Sequence, residues 1–221
     1  MSLVEVGGER LELLAGRGAF WARERALLVA DLHLGKPATF RTMGIPVPEA
    51  TTRADLERLD RMLLATAARR LIILGDLLHA RAGRAPETLD AVARWRGARR
   101  ELSVLLIRGN HDHRAGDPPP HWGFEIVDGP FPVGPFVLRH EPADDERGYV
   151  LCGHIHPAVS LRGPAGTSMR CACFWFGAGV GVLPSFGAFT GAKVVRPARG
   201  DRVFAVGPET VVEVPLAPSQ Y

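Results

Sequence analysis

Three short apolar runs in the first half of the chain are each followed at once by residues that can bind metal ions. They cover residues 25–30, 71–74 and 102–107, and they lead into Asp31-Leu-His33, Gly75-Asp76 and Gly109-Asn-His-Asp112. Short runs rich in branched apolar residues are typical of buried strands, and open α/β sheets bind ligands at the carboxyl ends of such strands. We therefore expect these polar side chains to converge at one sheet edge, with Gly109 permitting the turn.

Two amphipathic helices are predicted between these strands. Residues 49–70 place apolar side chains on one stripe, and Pro86 begins a second helix that extends to about residue 99. Loops are expected over residues 40–48, 80–85 and 113–120. After Phe124 the helical periodicity disappears, and strands are predicted over residues 136–140, 149–154, 159–162, 168–176, 193–196, 202–206 and 211–214, in addition to 11–14 and 19–21 near the amino terminus.

This order of elements is βαβαβ in the first half and mostly β in the second. The chain has 221 residues, enough for one sizeable hydrophobic core, and contains neither an internal repeat nor a low-complexity linker. The sequence therefore predicts a single α/β domain over residues 1–221, in which residues 215–221 form a tail.

Composition excludes several classes of protein. Hydrophobic residues make up 46% and charged residues 23%, which is normal for a globular domain. The longest uncharged span, residues 171–192, is interrupted by glycines and Pro184, so short strands are expected there rather than a membrane helix. No signal peptide is expected, since the first residues contain no basic region followed by an apolar stretch. A disulfide framework is not expected either, since the three cysteines form an odd set without a Cys-x-x-Cys pair, and Cys171 and Cys173 are expected to pack as thiols on one strand face. These features predict a cytoplasmic protein that does not bind membranes.

The basic residues are almost all arginines: only Lys36 and Lys193 are lysines among 27 basic side chains, and the net charge is +3. The planar guanidinium group suits phosphate recognition, so this bias is compatible with a nucleic-acid substrate. A genome that prefers arginine codons would explain the same bias without any binding function.

Further histidines follow later apolar runs, so that five strand ends carry ligand-type side chains. A single histidine is more often a hydrogen-bonded structural residue than a ligand. A set that combines carboxylates, imidazoles and an amide oxygen instead favours two divalent transition metals such as manganese, iron or zinc. In an extended segment, residues two apart point the same way, so Asp31 and His33 are expected to reach one ion together. The set is Asp31, His33, Asp76, Asn110, His111, His140, His154 and His156.

In this order along residues 31–156, these motifs resemble the calcineurin-like metallophosphoesterase superfamily. The resemblance implies two facing mixed β-sheets flanked by helices, an α-β-β-α sandwich. It also implies a first metal held by Asp31, His33, Asp76 and His156, and a second held by Asp76, Asn110, His140 and His154. His113 and His121 are alternatives to His140, which is preferred because it ends an apolar strand whereas they lie in a proline-rich loop.

Such a site suits phosphoester hydrolysis. Two cations about 3.5–4 Å apart clamp a phosphate and generate hydroxide at neutral pH, which is the expected nucleophile. His111 adjoins a ligand and is the candidate general acid, and Asp112 is expected to orient it or hold it protonated. The chain contains no Gly-x-Ser-x-Gly elbow, Walker loop or Gly-x-Gly-x-x-Gly motif that would offer a competing chemistry.

Residues just beyond the motifs are candidates for binding the substrate. They are Lys36, His79, Arg81, Arg84, His113 and Arg114. The alternative for the basic residues is a solvated loop charge, and for His79 a local loop contact. Trp95 and the Phe174-Trp-Phe176 run are expected in the core.

A closer resemblance extends over nearly the whole chain. Residues 31–41, 44–48, 75–83, 174–177 and 183–191 are similar to the bacterial ligase-associated DNA damage response endonucleases. This resemblance implies manganese-dependent cleavage of single-stranded DNA in DNA repair, and functional association with a DNA ligase, a helicase and an exonuclease. Two alternatives stay open: a phosphoesterase for small or cyclic nucleotides, and a non-catalytic scaffold that kept the fold but lost its metals.

Overall fold

Two β-sheets face each other in the computed structural model, which describes residues 2–47, 50–162, 167–188 and 190–216. The first sheet contains seven strands in chain order, antiparallel from β1 to β4 and parallel from β4 to β7. They are β1 (Ser2–Val6), β2 (Glu9–Leu14), β3 (Gly18–Trp21), β4 (Ala26–Val29), β5 (Arg70–Leu74), β6 (Ser103–Ile107) and β7 (Glu125–Val127).

The second sheet is built from the remaining described strands. Its order is β14-β11-β12-β13-β10-β9-β8, with β15 paired to β12 and to β16, and β9, β10 and β13 run parallel. The strands are β8 (Phe131–Val133), β9 (Phe136–Leu138), β10 (Tyr149–Cys152), β11 (Pro157–Arg162), β12 (Ser168–Phe176), β13 (Val180–Val182), β14 (Lys193–Val194), β15 (Arg202–Val206) and β16 (Val211–Val214).

Four helices follow strands of the first half. They are α1 (Lys36–Thr42), α2 (Ala50–Thr66), α3 (Pro86–Gly97) and α4 (Asn110–Ala115), with 3-10 turns at Arg81–Gly83 and Pro120–Trp122. Among the described residues, none of these helices combines the length and apolar character that crossing a membrane requires.

The parallel strands of the first sheet are buried on both faces. Leu28, Ile72 and Leu105 point toward the second sheet and meet its inward side chains, which include Phe136, Leu151, Phe174 and Phe204. The alternate residues, such as Leu27 and Ile73, pack under α2 and α3 against Leu59, Met62 and Trp95. This double burial explains why β4, β5 and β6 read as continuous apolar runs. The α/β architecture of two mixed sheets flanked by helices is confirmed.

Several predicted boundaries were wrong. Residues 40–42 belong to α1 instead of a loop. The helix predicted over 49–70 ends at Thr66, because the chain turns at Ala67 before entering β5. The first part of the predicted loop 113–120 belongs to α4. Pro48, Glu49 and residues 217–221 of the predicted tail lie outside the described residues.

The two sheets are joined at one edge by a short bridge. Ala30, immediately after β4, pairs with Ser185 in parallel, and Phe186 N donates to the Ala30 carbonyl at 2.8 Å. The Ser185 hydroxyl and Gly187 N both donate to the Asp31 carbonyl, at 3.0 and 3.1 Å. Asp31 is therefore held from both sheets, and the predicted ligands lie at this junction.

Candidate metal centre

The ends of five strands bring seven predicted ligands together. Asp31 and His33 follow β4, Asp76 follows β5 and Asn110 begins α4 after β6, whereas His140, His154 and His156 follow β9 and β10 of the second sheet. We call these seven residues the ligand cluster. Four of them are buried: Asp31 is 0% exposed, Asp76 2%, His33 4% and His140 5%.

The backbone at the ligand cluster is strained. Asp31, His33, Asp76, His154 and His156 adopt positive φ angles of 54°, 47°, 52°, 71° and 49°. A residue other than glycine in this left-handed region costs about 1–3 kcal/mol, and such residues concentrate at functional sites. The expectation that Asp31 and His33 converge by alternation along an extended strand was wrong, because β4 ends at Val29 and both residues are left-handed.

One group of ligands comprises Asp31, His33 and His156. The Nε2 atoms of His33 and His156 lie 3.3 Å apart, and His156 Nε2 lies 3.6 Å from Asp31 Oδ1. One ligand atom from each residue fits within a 4.8 Å group, a spacing that a single cation can bridge.

The other group comprises Asn110, His140 and His154. Asn110 Oδ1 lies 3.0 Å from His140 Nε2 and 3.1 Å from His154 Nδ1, and the two ring nitrogens are 3.1 Å apart. Asp76 lies between the groups, since its Oδ2 is 3.7 Å from His33 Nε2 and 3.5 Å from His140 Nε2. The Asp76 carboxylate therefore faces both groups, in the position of a ligand shared by two ions.

The hydrogen bonds on the outer side of the imidazoles show that the cluster fits cations. His140 Nδ1 lies 3.0 Å from the Leu74 carbonyl and donates to it, so a neutral His140 has no proton on Nε2. That Nε2 nevertheless faces the Asn110 oxygen at 3.0 Å. The facing lone pairs of His140 Nε2 and Asn110 Oδ1 repel each other unless a cation lies between them. His156 Nδ1 likewise donates to the Gly191 carbonyl at 3.0 Å, and metal-binding histidines are oriented by hydrogen bonds of this kind.

Burial also keeps the cluster ready for metal. Burial, aided by smaller electrostatic effects of the neighbouring His156, His111, Lys36 and His79, lowers the pKa of His33 to about 2, so the ring stays neutral. The pKa of Asp76 is raised mainly by burial, against the opposing effect of His140. A buried carboxylate next to neutral imidazoles lacks a counter-charge, which a divalent ion would supply.

His111 lies beside the cluster on α4. Its backbone N donates to Asp76 Oδ1 at 2.9 Å, and its ring Nδ1 lies 2.6 Å from the His79 carbonyl. The ring stacks on that of His79, with centroids 4.8 Å apart, and meets the His33 ring edge-on. The His79 carbonyl thus orients His111, leaving Nε2 for a substrate.

Asp112 does not have the expected orienting role. Its two carboxylate oxygens accept hydrogen bonds from Leu78 N at 3.2 Å and Gly109 N at 2.9 Å, which caps α4. Burial raises the pKa of Asp112 to about 6. Asp112 therefore holds the backbone that carries Asn110 and His111, and the contact with the His111 ring is made by the His79 carbonyl instead.

The basic candidates differ in position. Burial is the main cause of the lowered pKa values of His33 and His79, the second of which falls to about 4. The nearby charge of Lys36 lowers both pKa values further. Arg81 Nε donates to the Arg114 carbonyl at 3.3 Å. Arg84 Nη1 donates to the carbonyls of Gly116 and Asp117 at 3.0 and 2.7 Å. Arg81 and Arg84 thus brace the loop after α4, and the side chain of Arg114 is exposed.

Neither alternative to His140 reaches the ligand cluster. His113 Nε2 lies 3.8 Å from Asp128 Oδ1 and its side chain is 61% exposed. It lines a polar cavity of about 190 Å³ together with Asn110 and His140. The ring of His121 packs beside Trp122. The preference for His140 thus agrees with the geometry.

The structure changes the expected role of Gly109 and adds Gly153, which was not predicted, to the site. Gly109 has φ −100°, so its backbone needs no left-handed conformation, but a Cβ there would lie 2.2 Å from Asp76 Oδ1. A Cβ at Gly153 would lie 2.6 Å from Asp31 Oδ2. Both glycines provide space for a ligand carboxylate. Their position directly before the Asn110 and His154 motifs was the available signal.

Comparisons with known proteins agree with this geometry. The family model described as calcineurin-like phosphoesterase matches residues 24–168. The crystal structure of the Pseudomonas putida nuclease MPE has 44% sequence identity and a TM-score of 0.85, covering 96% of this chain and 99% of that chain. YfcE, a phosphoesterase from E. coli, has 18% sequence identity and a TM-score of 0.43, covering 86% of this chain and 97% of that chain. None of the curated proteins compared with the chain matches it. The chain belongs to the calcineurin-like phosphoesterase family and is a metal-dependent phosphoester hydrolase.

Proposed function

We propose that this protein is a manganese-dependent endonuclease that cleaves single-stranded DNA in bacterial DNA repair. The observation that carries the proposal is the ligand cluster, in which two groups of imidazole and oxygen ligands meet at Asp76. The 44% identity to a nuclease over 96% of the chain supports a nucleic-acid substrate. Mixed nitrogen and oxygen ligands suit manganese, with iron or zinc as alternatives.

Each residue of the ligand cluster has a proposed role. Asp31, His33, Asp76 and His156 hold one divalent ion, and Asp76, Asn110, His140 and His154 hold the other. When bound, the two ions polarise the phosphate and supply a nucleophile from water. The chain contributes the orientation: the Leu74 and Gly191 carbonyls direct the His140 and His156 rings, and the Ser185 hydroxyl and Gly187 N hold the Asp31 backbone.

His111 is the proposed general acid for the leaving oxygen. Its Nδ1 donates to the His79 carbonyl at 2.6 Å, so Nε2 is the atom left for the substrate, and it delivers a proton when the ring is in its doubly protonated imidazolium form. His79 stacks on His111 and is kept neutral by its lowered pKa of about 4, caused first by burial, so it can offer a hydrogen bond to the substrate. Lys36 places a positive charge beside the rings of His33 and His79, where a phosphate would enter.

The cellular setting is part of the proposal. The resemblance supports action in the cytoplasm together with a DNA ligase, a helicase and an exonuclease. The three free cysteines are compatible with a reducing compartment.

The test compares two substrates. Circular single-stranded DNA and bis-p-nitrophenyl phosphate are each incubated with the protein and manganese, and again with a chelator. We expect both to be cleaved with manganese and neither with chelator. Cleavage of the model ester without the circle would favour a phosphoesterase for small or cyclic nucleotides, and cleavage of neither would favour the non-catalytic scaffold.

A further inference from the structure

A groove lies on the surface next to the ligand cluster, between α1, α2 and α3. It has a volume of about 380 Å³, and its lining is formed by Pro37, Ala38, Arg41, Thr52, Arg53, Glu87, Thr88, Ala91 and Arg94. The lining therefore includes three arginines and one glutamate. The other lining residues are small or carry hydroxyl groups, which allows a chain of phosphates to approach closely.

The groove begins next to the metal centre. Its lining starts at Pro37, which follows Lys36 in the chain, and a cavity of about 10 Å³ lined by His33 and Lys36 shares Pro37 and Thr52 with it. Lys36 therefore lies between the ligand cluster and the groove. Lys36 begins α1 and Arg41 lies in its last turn, so the two charges lie along the same helix.

Two arginines of the groove, Arg53 and Arg94, are available to a ligand. Arg53 pairs with Glu57 at 3.1 Å, but both side chains are exposed, 84% and 55%, so the pair contributes little. The side chain of Arg94 is exposed and makes no hydrogen bond or ion pair with any residue in the described part of the chain. Binding a phosphate would thus cost neither arginine a strong existing contact, and a guanidinium group binds phosphate through two parallel hydrogen bonds.

We propose that this groove binds the phosphate backbone of the single-stranded DNA that flanks the cleaved bond, with Arg53 and Arg94 as its main contacts and Arg41 at the entrance. This inference rests on the proposed function, because it names a second region for the same substrate. Positively charged grooves that follow the backbone are how proteins bind single strands without sequence preference. A small diester such as bis-p-nitrophenyl phosphate occupies only the metal centre and does not reach the groove.

The test reverses single charges and compares two substrates. For Arg94→Glu and Arg53→Glu, we expect the KM for single-stranded DNA to rise at least about 10-fold more than the KM for bis-p-nitrophenyl phosphate. For Arg94→Ala, the log–log salt dependence of DNA binding should fall in slope by about 0.7, the value for one phosphate contact on a single strand. Glu87→Gln should act in the opposite direction and lower the KM for DNA.

The matched control is Arg61→Glu, which makes the same charge change at an exposed position of α2 outside the groove lining. Equal effects of Arg61→Glu and Arg94→Glu would overturn the groove, since only the net charge would then matter. Circular dichroism melting of each variant checks that it is folded.

A binding measurement separates the groove from the proposed function. Fluorescence anisotropy with a labelled oligonucleotide is recorded in chelator, so that no cleavage occurs. If the unchanged protein cleaves the model ester but not DNA, the proposed function fails. The groove would still be supported by weaker oligonucleotide binding in Arg94→Glu than in Arg61→Glu. The same affinity in both variants, or no binding to the unchanged protein, would overturn it.

Discussion

The ligand cluster and the arginine-lined groove lie side by side, yet they are built in opposite ways. The cluster is buried and held by contacts from both sheets; Asp31 is 0% exposed, and His154 N donates to both of its carboxylate oxygens at 3.2 and 3.0 Å. The groove is lined by exposed side chains such as Arg53 and Arg94, which have weak partners or none among the described residues. The fold therefore prepares the metal centre before any substrate arrives, whereas the groove gains its contacts only from the substrate.

This difference has a physical reason. Five ligands of the cluster have left-handed backbone angles, and its carboxylates are buried. Both features destabilise the folded state, so they persist only where the surrounding packing enforces them. Exposed arginines cost the fold almost nothing, so their replacement changes stability only modestly. We thus expect substitutions in the cluster to remove hydrolysis of every ester, and substitutions at exposed arginines to change substrate binding or stability modestly.

The largest effect is expected from Asp76→Asn. Asp76 lies between the two ligand groups, so the substitution should reduce hydrolysis of both DNA and bis-p-nitrophenyl phosphate at least about 100-fold, more than loss of an outer partner costs. Metal content measured by atomic emission should fall below two ions per chain. The control is Asp90→Asn, an exposed carboxylate on α3. Retention of both activities in Asp76→Asn would remove the shared-ligand assignment.

A more selective effect, confined to one of the two substrates, is expected from His111→Ala. Because the variant keeps the metal ligands, it should retain its metals but cleave DNA about 10²–10⁴-fold more slowly, the usual contribution of a general acid. The p-nitrophenolate group leaves without protonation, so its release should slow far less. His121→Ala, whose ring packs beside Trp122, is the matched control. An equal loss on both substrates would show that His111 serves the metals and is not the acid.

The next effect concerns space around the cluster. In Gly109→Ala the new Cβ would lie 2.2 Å from Asp76 Oδ1, so that carboxylate must move, and we expect activity on both substrates to fall about 10–100-fold. Gly97→Ala, at the end of α3, meets no atom within 4 Å and should instead raise stability by about 0.5–1 kcal/mol. Steady-state kinetics and thermal melting of the pair measure both effects. Full activity in Gly109→Ala would mean that the Asp76 position is not tightly constrained.

The smallest effect is expected from Arg84→Ala. Arg84 donates to the carbonyls of Gly116 and Asp117 near the surface, so its loss should lower the free energy of unfolding by about 1 kcal/mol and the Tm by about 2–4 °C. Hydrolysis of bis-p-nitrophenyl phosphate should be nearly unchanged. Arg10→Ala, at an exposed position of β2, controls for the loss of charge. A loss of hydrolysis as large as that of Asp76→Asn would place Arg84 in the active site. It would contradict the view that only the ligand cluster is needed for hydrolysis.

Much of the architecture was accessible from the sequence because local patterns carried it. The runs that became β4, β5 and β6 are apolar throughout since both faces are buried, and each ends at ligand-type residues that the fold then brings together. The helical turn at Asn110–Ala115 was missed, because Asn, His, Asp and Gly are also ordinary loop residues, and the capping by Asp112 depends on a contact with Leu78 from another strand end.

The sequence by itself determined which chemical groups this protein can present: a set of carboxylates, imidazoles and one amide, each placed just after a strand. Only the tertiary structure decided how they meet. It showed that Asp76 lies between two groups, that the His79 carbonyl and not Asp112 orients His111, and that Gly109 is needed for space rather than for its backbone angle. These outcomes depend on distances between residues far apart along the chain, which local periodicity does not encode and which packing of the two sheets sets to within fractions of an ångström.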